Sequence, residues 1–231
     1  MLVRSDTLEM TAMSHDTLTH SIETTHDVLA TRLETAEASH PTLERPRDRF
    51  PATDTFLASA SRHVAAANAV LVPAARQHLP NGVELAHEFT RQSRHLEAAM
   101  ALVKAKLYGS SQAIRLPWRG IWADLHLQFD LLLELEESIV RDLVERTDQI
   151  FRDDLANRVY RAELRSPTRP HPYVPHLGMT GRMARRLCLQ VDHFWDTTEG
   201  RMIPEPIKPH DRAHDGPITQ YFLGDPHFEE E

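Results

Sequence analysis

The spacing of apolar residues along the chain predicts α-helices. Between about Asp16 and Glu37, apolar side chains recur at intervals of three and four residues, which places them on one face of a helix. Glycine is scarce, with 8 residues, and β-branched and polar residues nowhere alternate over a long stretch, as they would in a half-buried strand. The pattern therefore predicts an all-α protein.

Three further helices follow with the same periodicity. The second is expected to begin near Thr53–Asp54, which resembles a helix cap, and to be kinked by Pro73. The third is predicted over Val83–Tyr108, and the fourth begins near Pro117 and either continues or breaks and restarts before Leu164. The segments between these helices are rich in turn-forming residues: 40–51, 80–82 and 109–111. Short connections of this kind predict an antiparallel up-down four-helix bundle.

The chain divides into three regions by composition. Residues 1–15 are predicted to be a disordered N-terminus, and residues 16–165 form the four-helix bundle. Residues 166–231 are a C-terminal extension that begins with a Pro-rich arm, Ser166–His176. An additional amphipathic helix is expected over Gly181–Gly200, followed by an irregular, partly disordered tail.

Composition and charge narrow the range of partners. The net charge of −8 argues against a nucleic-acid partner. The longest apolar runs, such as Phe129–Leu133, are far shorter than the roughly 20 residues that a membrane span requires, and Met1–Met13 lacks the apolar core of a signal peptide. A single cysteine, Cys188, excludes a disulfide framework. We therefore expect a cytoplasmic protein without a membrane or nucleic-acid partner.

The chain contains 15 histidines, and their positions are informative because histidine is the commonest metal ligand in proteins. Each predicted bundle helix carries one histidine on or beside its apolar face: His26, His63, His95 and His126. In an up-down bundle, residues on neighbouring helices lie at the same height when they are equidistant from the turn between them. The midpoints of the three successive pairs fall in or next to predicted turns: Glu44–Arg45, Leu79 and Ser110–Ser111. This spacing predicts four imidazoles at one level inside the bundle.

Four imidazoles in an apolar core favour a bound metal. Each unpaired donor or acceptor would cost about 1–3 kcal/mol, and a transition metal that binds the imidazoles removes that cost. Asp130 lies one turn beyond His126 on the same helix face and could add a carboxylate ligand. The alternative interpretation is ordinary packing for each histidine and a surface position for Asp130. We predict metal ligands at five positions: His26, His63, His95, His126 and Asp130.

The same residues resemble the hemerythrin HHE cation-binding domain. The sequence from His63 to Pro80 is similar to the second helix of that family, with Pro73 ten positions after the histidine. Arg94-His95-Leu96-Glu97 resembles the start of its third ligand helix. The resemblance covers about Asp16–Glu145, and the C-terminal extension is similar to one carried by bacterial, especially actinobacterial, members.

The resemblance implies a four-helix bundle around a non-haem di-iron centre that binds oxygen or related small molecules. The four histidines match the histidine positions of the family, and Asp130 matches the carboxylate of the fourth helix. Other family positions are not matched: Ala67 and Asn68 stand where the second helix carries acidic residues, Ala99 replaces a second histidine of the third helix, and Glu136 stands where a proline is expected. This reduced set favours a single iron or another divalent ion over an intact di-iron site, although Glu88 and Glu134 are candidate substitute ligands.

Two functional hypotheses follow. In the first, the chain is a hemerythrin-like non-haem iron protein, mono- or di-iron, that binds or senses O2, NO or peroxide. The sequence favours binding over catalysis and does not decide whether a reaction is turned over. In the second, it is a metal-free descendant that uses the C-terminal extension to hold a protein partner or a second copy of itself. Ala67 discriminates between them, because a working di-iron site should not tolerate alanine where a bridging carboxylate belongs.

Overall fold

The structure is a computed structural model that describes residues 16–39, 44, 49–111, 113–166, 168 and 204–209. This part of the chain contains no strand, so the predicted all-α class is confirmed. Its helices are α1 (Thr17–Ala38), α2 (Arg49–His78), α3 (Gly82–Leu107), α4 (Trp118–Arg146) and α5 (Gln149–Glu163). The predicted disordered N-terminus, the helix over Gly181–Gly200, Cys188, and most of the Pro-rich arm and tail lie outside the described residues.

Two aspartates set where helices begin. Asp16 precedes α1, and its carboxylate accepts a hydrogen bond of 3.0 Å from the backbone N–H of Thr19. Asp148 does the same for α5, accepting a 2.8 Å hydrogen bond from the N–H of Phe151. Because Asp148 caps a new helix directly after α4 ends, the fourth predicted helix breaks and restarts rather than continuing.

The α2 helix begins earlier than the sequence pattern predicts. It begins at Arg49, four residues before the predicted start at Thr53, because Pro51 falls in the first turn, where a missing backbone N–H breaks no helical hydrogen bond. Pro73 lies within α2, which continues to His78. At the following turn, a side chain on Gly82 would place its Cβ 2.0 Å from the carbonyl oxygen of Ala75, so only glycine fits this close approach.

The helices pack through their apolar faces into one core. Contacts join α1 to α2 and α4, α3 to α2 and α4, and α5 to α1 and α2. Hydrogen bonds show that α1 and α4 are antiparallel: His26 pairs with Glu137, while Glu37, further along α1, pairs with His126, earlier on α4. This alignment places the middle of α1 beside the second half of α4. None of the helices in the described ranges is long and apolar enough to cross a membrane.

Candidate metal centre

A group of buried His and Glu side chains lies where α1, α2 and α4 meet. His26 is 4% exposed, His63 is 2% exposed and Glu136 is fully buried. Each offers one potential ligand atom, and the three atoms lie within 4.8 Å of one another. The three residues are on the apolar faces of their helices, which is why packing brings them together.

Glu136 lies between the two imidazoles. Its Oε2 atom is 3.1 Å from Nε2 of His63 and 3.5 Å from Nε2 of His26. The two rings meet edge to face, with their centroids 5.4 Å apart and an interplanar angle of 89°. The Nε2 atoms of both histidines therefore face the same carboxylate, which is the arrangement that an ion bound by all three residues requires.

A second carboxylate holds each imidazole from the other side. Oε1 of Glu163, the last residue of α5, is 2.7 Å from Nδ1 of His63, and Oε1 of Glu137 is 3.0 Å from Nδ1 of His26. Metal-binding histidines in proteins commonly have such a partner, which fixes the tautomer and orients the other ring nitrogen toward the metal. The Glu163 side chain is buried, whereas that of Glu137 is 44% exposed.

The carboxylates control the protonation of the centre. Burial alone would lower the pKa of His63, but Glu136 and Glu163 outweigh burial and raise this pKa to about 10. Burial would likewise raise the pKa of Glu136, but the neighbouring His63 and His26 outweigh it and lower this pKa to about 2. The three carboxylates of Glu136, Glu137 and Glu163 outnumber the two imidazoles, so the group attracts a cation. A metal ion that binds His63 must displace the proton that this raised pKa keeps on the ring.

Two atoms of this group have unused hydrogen-bonding capacity. Within the described part of the chain, Oε1 of Glu136 and Nε2 of His26 are buried and have no hydrogen-bond partner. The 3.5 Å between His26 Nε2 and Glu136 Oε2 is long for an N–H···O hydrogen bond. Leaving a buried polar atom unsatisfied costs about 1–3 kcal/mol, and an ion bound between these residues would remove that cost at both atoms. The donor set therefore fits a metal.

The structure brings together only two of the five predicted ligands, His26 and His63. His95 is exposed on α3. His126 has a side chain that is 35% exposed, and its Nε2 is 2.7 Å from Oε2 of Glu37, away from the buried group. Asp130 is exposed on α4. The prediction of four imidazoles at one level inside the core is corrected accordingly.

Helix faces and helix offsets explain this difference. On α3, Ser93, Leu96 and Met100 define the buried face, and one helical position of about 100° turns His95 away from it. On α4, the contacts of His26 and His63 with Glu136 set the level of the centre ten residues beyond His126, or about 15 Å along the helix axis. The calculation of midpoints at turns assumes that neighbouring helices are not displaced along each other, so it does not include this offset.

The two candidate substitute ligands also lie elsewhere. Glu88 is exposed on α3, where its Oε1 is 3.4 Å from Nη2 of Arg91. Glu134 is exposed on α4, on the face opposite the buried Glu136. Neither belongs to the group that could hold a metal ion.

Sequence reasoning missed three carboxylates of the centre: Glu136, Glu137 and Glu163. A usable signal existed for Glu136, which lies four residues after Leu132 and three before Ile139, in the apolar stripe of α4. A carboxylate in such a stripe needs a buried partner. No comparable signal marks Glu163, because its position depends on how α5 folds back onto α2.

The α2 position where the resemblance expects a carboxylate is occupied by a separate polar network. Ala67 is fully buried. The neighbouring Asn68 donates hydrogen bonds from Nδ2 to the Val64 carbonyl at 2.9 Å and to Oγ of Ser93 at 2.8 Å. Because these bonds use both amide hydrogens within α2 and α3, Asn68 belongs to the packing of the two helices and not to the His26, His63 and Glu136 group.

No protein-family model, curated protein or solved structure matches this chain. The resemblance to hemerythrin-like domains remains a prediction based on the sequence motifs. The buried group of His26, His63 and Glu136 rests on the structure alone, and it could hold a metal ion.

Proposed function

We propose that the protein binds one divalent transition-metal ion between His26, His63 and Glu136. The observation that carries this proposal is the pair of unsatisfied buried atoms, Glu136 Oε1 and His26 Nε2, beside the Nε2 atom of His63. Three ligand atoms already lie within 4.8 Å of one another, and Glu137 and Glu163 orient both imidazoles from behind.

Two imidazoles and one carboxylate suit non-haem Fe(II) and also Zn(II). Such an ion would be held by three protein ligands, which would leave room in its coordination shell for a small molecule. Either metal would supply Lewis-acid chemistry, and iron would also supply redox chemistry. We therefore retain O2, NO or peroxide as the proposed ligand class and iron as the proposed metal. Only one carboxylate, Glu136, joins the imidazoles, so the proposal is for a single iron rather than a di-iron centre.

We also propose the hemerythrin-like arrangement for α1–α4, an antiparallel four-helix bundle with α5 packed against α1 and α2. Contacts between α1 and α2, α2 and α3, α3 and α4, and α4 and α1 support this arrangement. The antiparallel pairing of α1 with α4 also supports it. Within such a bundle, α5 supplies Glu163, the carboxylate behind His63.

The metal content tests this proposal. It is measured in protein purified from iron-supplemented cells and in apoprotein reloaded with Fe(II) in the absence of air. We expect about one ion per chain in the wild type and loss of that ion in His63→Ala and Glu136→Gln. The matched controls are His95→Ala and His126→Ala, which remove imidazoles outside the buried group and should leave the metal content unchanged. Visible spectra before and after exposure to air, NO or peroxide test the proposed ligand class.

A second function is supported by one observation. Both nitrogens of His63 already have carboxylate partners, at 2.7 and 3.1 Å, so a protonated His63 satisfies its own hydrogen bonds without an ion. The group would then be a structural ion-pair network inside a metal-free interaction protein. Less than a tenth of an ion per chain after reloading, with no ligand-to-metal absorption band, would reject the metal proposal in favour of this one.

A further inference from the structure

The three proposed ligands are sealed from solvent, so an ion needs a route to reach them. Their exposed fractions are at most 4%. Two cavities in the described part of the chain reach the carboxylates behind the imidazoles. One lies between α1 and α4 and is lined by Glu137, and the other lies beside Glu163, beneath the segment Pro204–Ile207.

The two cavities differ in size. The cavity between α1 and α4 has a volume of about 140 Å³, whereas the one beside Glu163 has about 20 Å³. Because a single water needs roughly 10–15 Å³ on this scale, the smaller cavity holds about one water molecule. Only the larger one has room for an ion that keeps part of its hydration shell.

Their charges also differ. The larger cavity is lined by two carboxylates, Glu23 and Glu137, and by one exposed guanidinium, Arg141. The smaller cavity is lined by two carboxylates, Glu163 and Glu205, and by two half-buried guanidinium groups, Arg32 and Arg62, so its charges balance, whereas the larger cavity has one carboxylate in excess. Electrostatic focusing therefore favours cations at the opening between α1 and α4.

The imidazole on the side of the larger cavity is the less restrained one. His26 has one close hydrogen-bond partner in the described residues, the half-exposed Glu137, at 3.0 Å. His63 is held on both nitrogens by buried carboxylates, at 2.7 and 3.1 Å. A ring with one partner moves aside more readily than a ring with two, so the centre opens most easily at His26.

We propose that the divalent cation enters and leaves the centre through the cavity between α1 and α4. Glu23 attracts the ion at the rim, and Glu137 binds it next, before it passes His26 to reach Glu136 and His63. This inference rests on the proposed function, because it concerns the filling of the same metal centre.

The first test narrows the cavity. Val144 lies half-buried in its wall, so Val144→Phe fills part of the volume without altering a ligand. Stopped-flow absorption with Co²⁺ as the probe should show association and dissociation slowed by the same factor, about tenfold, because one route serves both directions. The dissociation constant should therefore not change. The control is Leu131→Phe, on the exposed side of α4, which should leave both rates at the wild-type values.

The second test compares the two openings with matched charge substitutions. Arg141→Gln should speed Co²⁺ association about two- to threefold at low ionic strength, and high salt should abolish the increase. Arg32→Gln, at the other cavity, should not change the rate. Faster association in Arg32→Gln, with no change in Arg141→Gln, would overturn the proposal and assign the route to the cavity beside Glu163. These two variants distinguish the routes even if Val144→Phe does not fold.

The outcomes separate this inference from the proposed function. A wild-type protein that binds no Co²⁺, Zn²⁺ or Fe²⁺ contradicts the metal centre itself. A wild-type protein that binds Co²⁺ stoichiometrically, while Val144→Phe and Arg141→Gln bind it at unchanged rates, contradicts only the route.

Discussion

Glu136 contacts both imidazoles of the centre and is fully buried, so the integrity of the group depends on it. Its low pKa of about 2 and the raised pKa of about 10 for His63 have the same cause, the attraction between the two groups inside the core. A substitution that removes this carboxylate leaves His63 either charged with one partner fewer or neutral and only partly satisfied.

We expect Glu136→Leu to destabilise the apoprotein by about 3–5 kcal/mol, which is the usual cost of removing one partner from a buried ion pair. The free energy of unfolding, measured in urea by circular dichroism, checks this value. Glu134→Leu is the matched control, because Glu134 is exposed on the same helix and its loss should change stability by no more than about 0.5 kcal/mol. Equal effects of the two substitutions would show that the buried pair does not stabilise the fold.

The same two groups predict how the stability of the apoprotein depends on pH. The pKa of His63 is raised from 6.5 to about 10, so its contribution is complete below pH 6.5 and is lost as the pH rises toward 10. The pKa of Glu136 is lowered from 4.5 to about 2, so its contribution is complete above pH 4.5 and is lost as the pH falls toward 2. Between pH 4.5 and 6.5 the pair stabilises the fold fully.

The measurement is a series of urea unfolding curves in the presence of a chelator at pH 5.5, 7.5 and 9. The free energy of unfolding should decrease across the series in the wild type. His63→Gln removes the titrating imidazole and should decrease less over the same range. A wild-type protein whose stability rises from pH 5.5 to 9 would contradict the proposed charge state of His63.

At the scale of elements, apolar periodicity was sufficient to predict most of the helices. It predicted α1 and α3 to within a residue or two at each end. It missed the start of α2, because the prolines of segment 40–51 predict a loop although proline is accepted in a first helical turn. Periodicity reports which face of a helix is buried, so it identified His26 and His63.

Periodicity does not report how far one helix is displaced along its neighbour, and this limited the prediction of the candidate site. The pairing of α1 with α4 places Glu137 rather than His126 beside His26. The fold of α5 onto α2 brings Glu163 to His63 across 100 residues of sequence. Both alignments depend on tertiary packing, which is not encoded in the period of a single helix.

The Asp148 cap should hold α5 in place, and with it Glu163 beside His63. Asp148→Ala removes the carboxylate that accepts the Phe151 N–H and should destabilise the protein by about 0.5–2 kcal/mol. Because α5 carries Glu163, hydrogen exchange at the amides of α5 should also become faster. Asp154→Ala is the control, because Asp154 is exposed in the same helix and its pair with Arg158 is a surface pair worth a few tenths of a kcal/mol. Unchanged exchange in Asp148→Ala would show that the cap does not hold α5 in place.

At the scale of the whole molecule, the centre connects four of the five described helices. His26 belongs to α1, His63 to α2, and Glu136 and Glu137 to α4, while Glu163 connects α5 to His63. An ion bound at this junction would contact three helices that are separate in sequence. Metal binding should therefore stabilise the folded protein as a unit, since the ligand atoms converge only in the folded state.

We expect saturating Zn²⁺ or Co²⁺ to raise the melting temperature of the wild-type protein by about 5–10 °C. An ion present at 100 times its dissociation constant adds about 2.7 kcal/mol to the stability, and 1 kcal/mol corresponds to about 2–4 °C for a chain of this size. The melting temperature is measured by circular dichroism with and without the metal. His95→Ala should retain the shift, because His95 is exposed and lies outside the centre. If the rise in melting temperature is lost in His63→Ala but not in His95→Ala, the metal binds at the buried centre and not at surface histidines. Equal loss in both variants would contradict the assignment of the ligands.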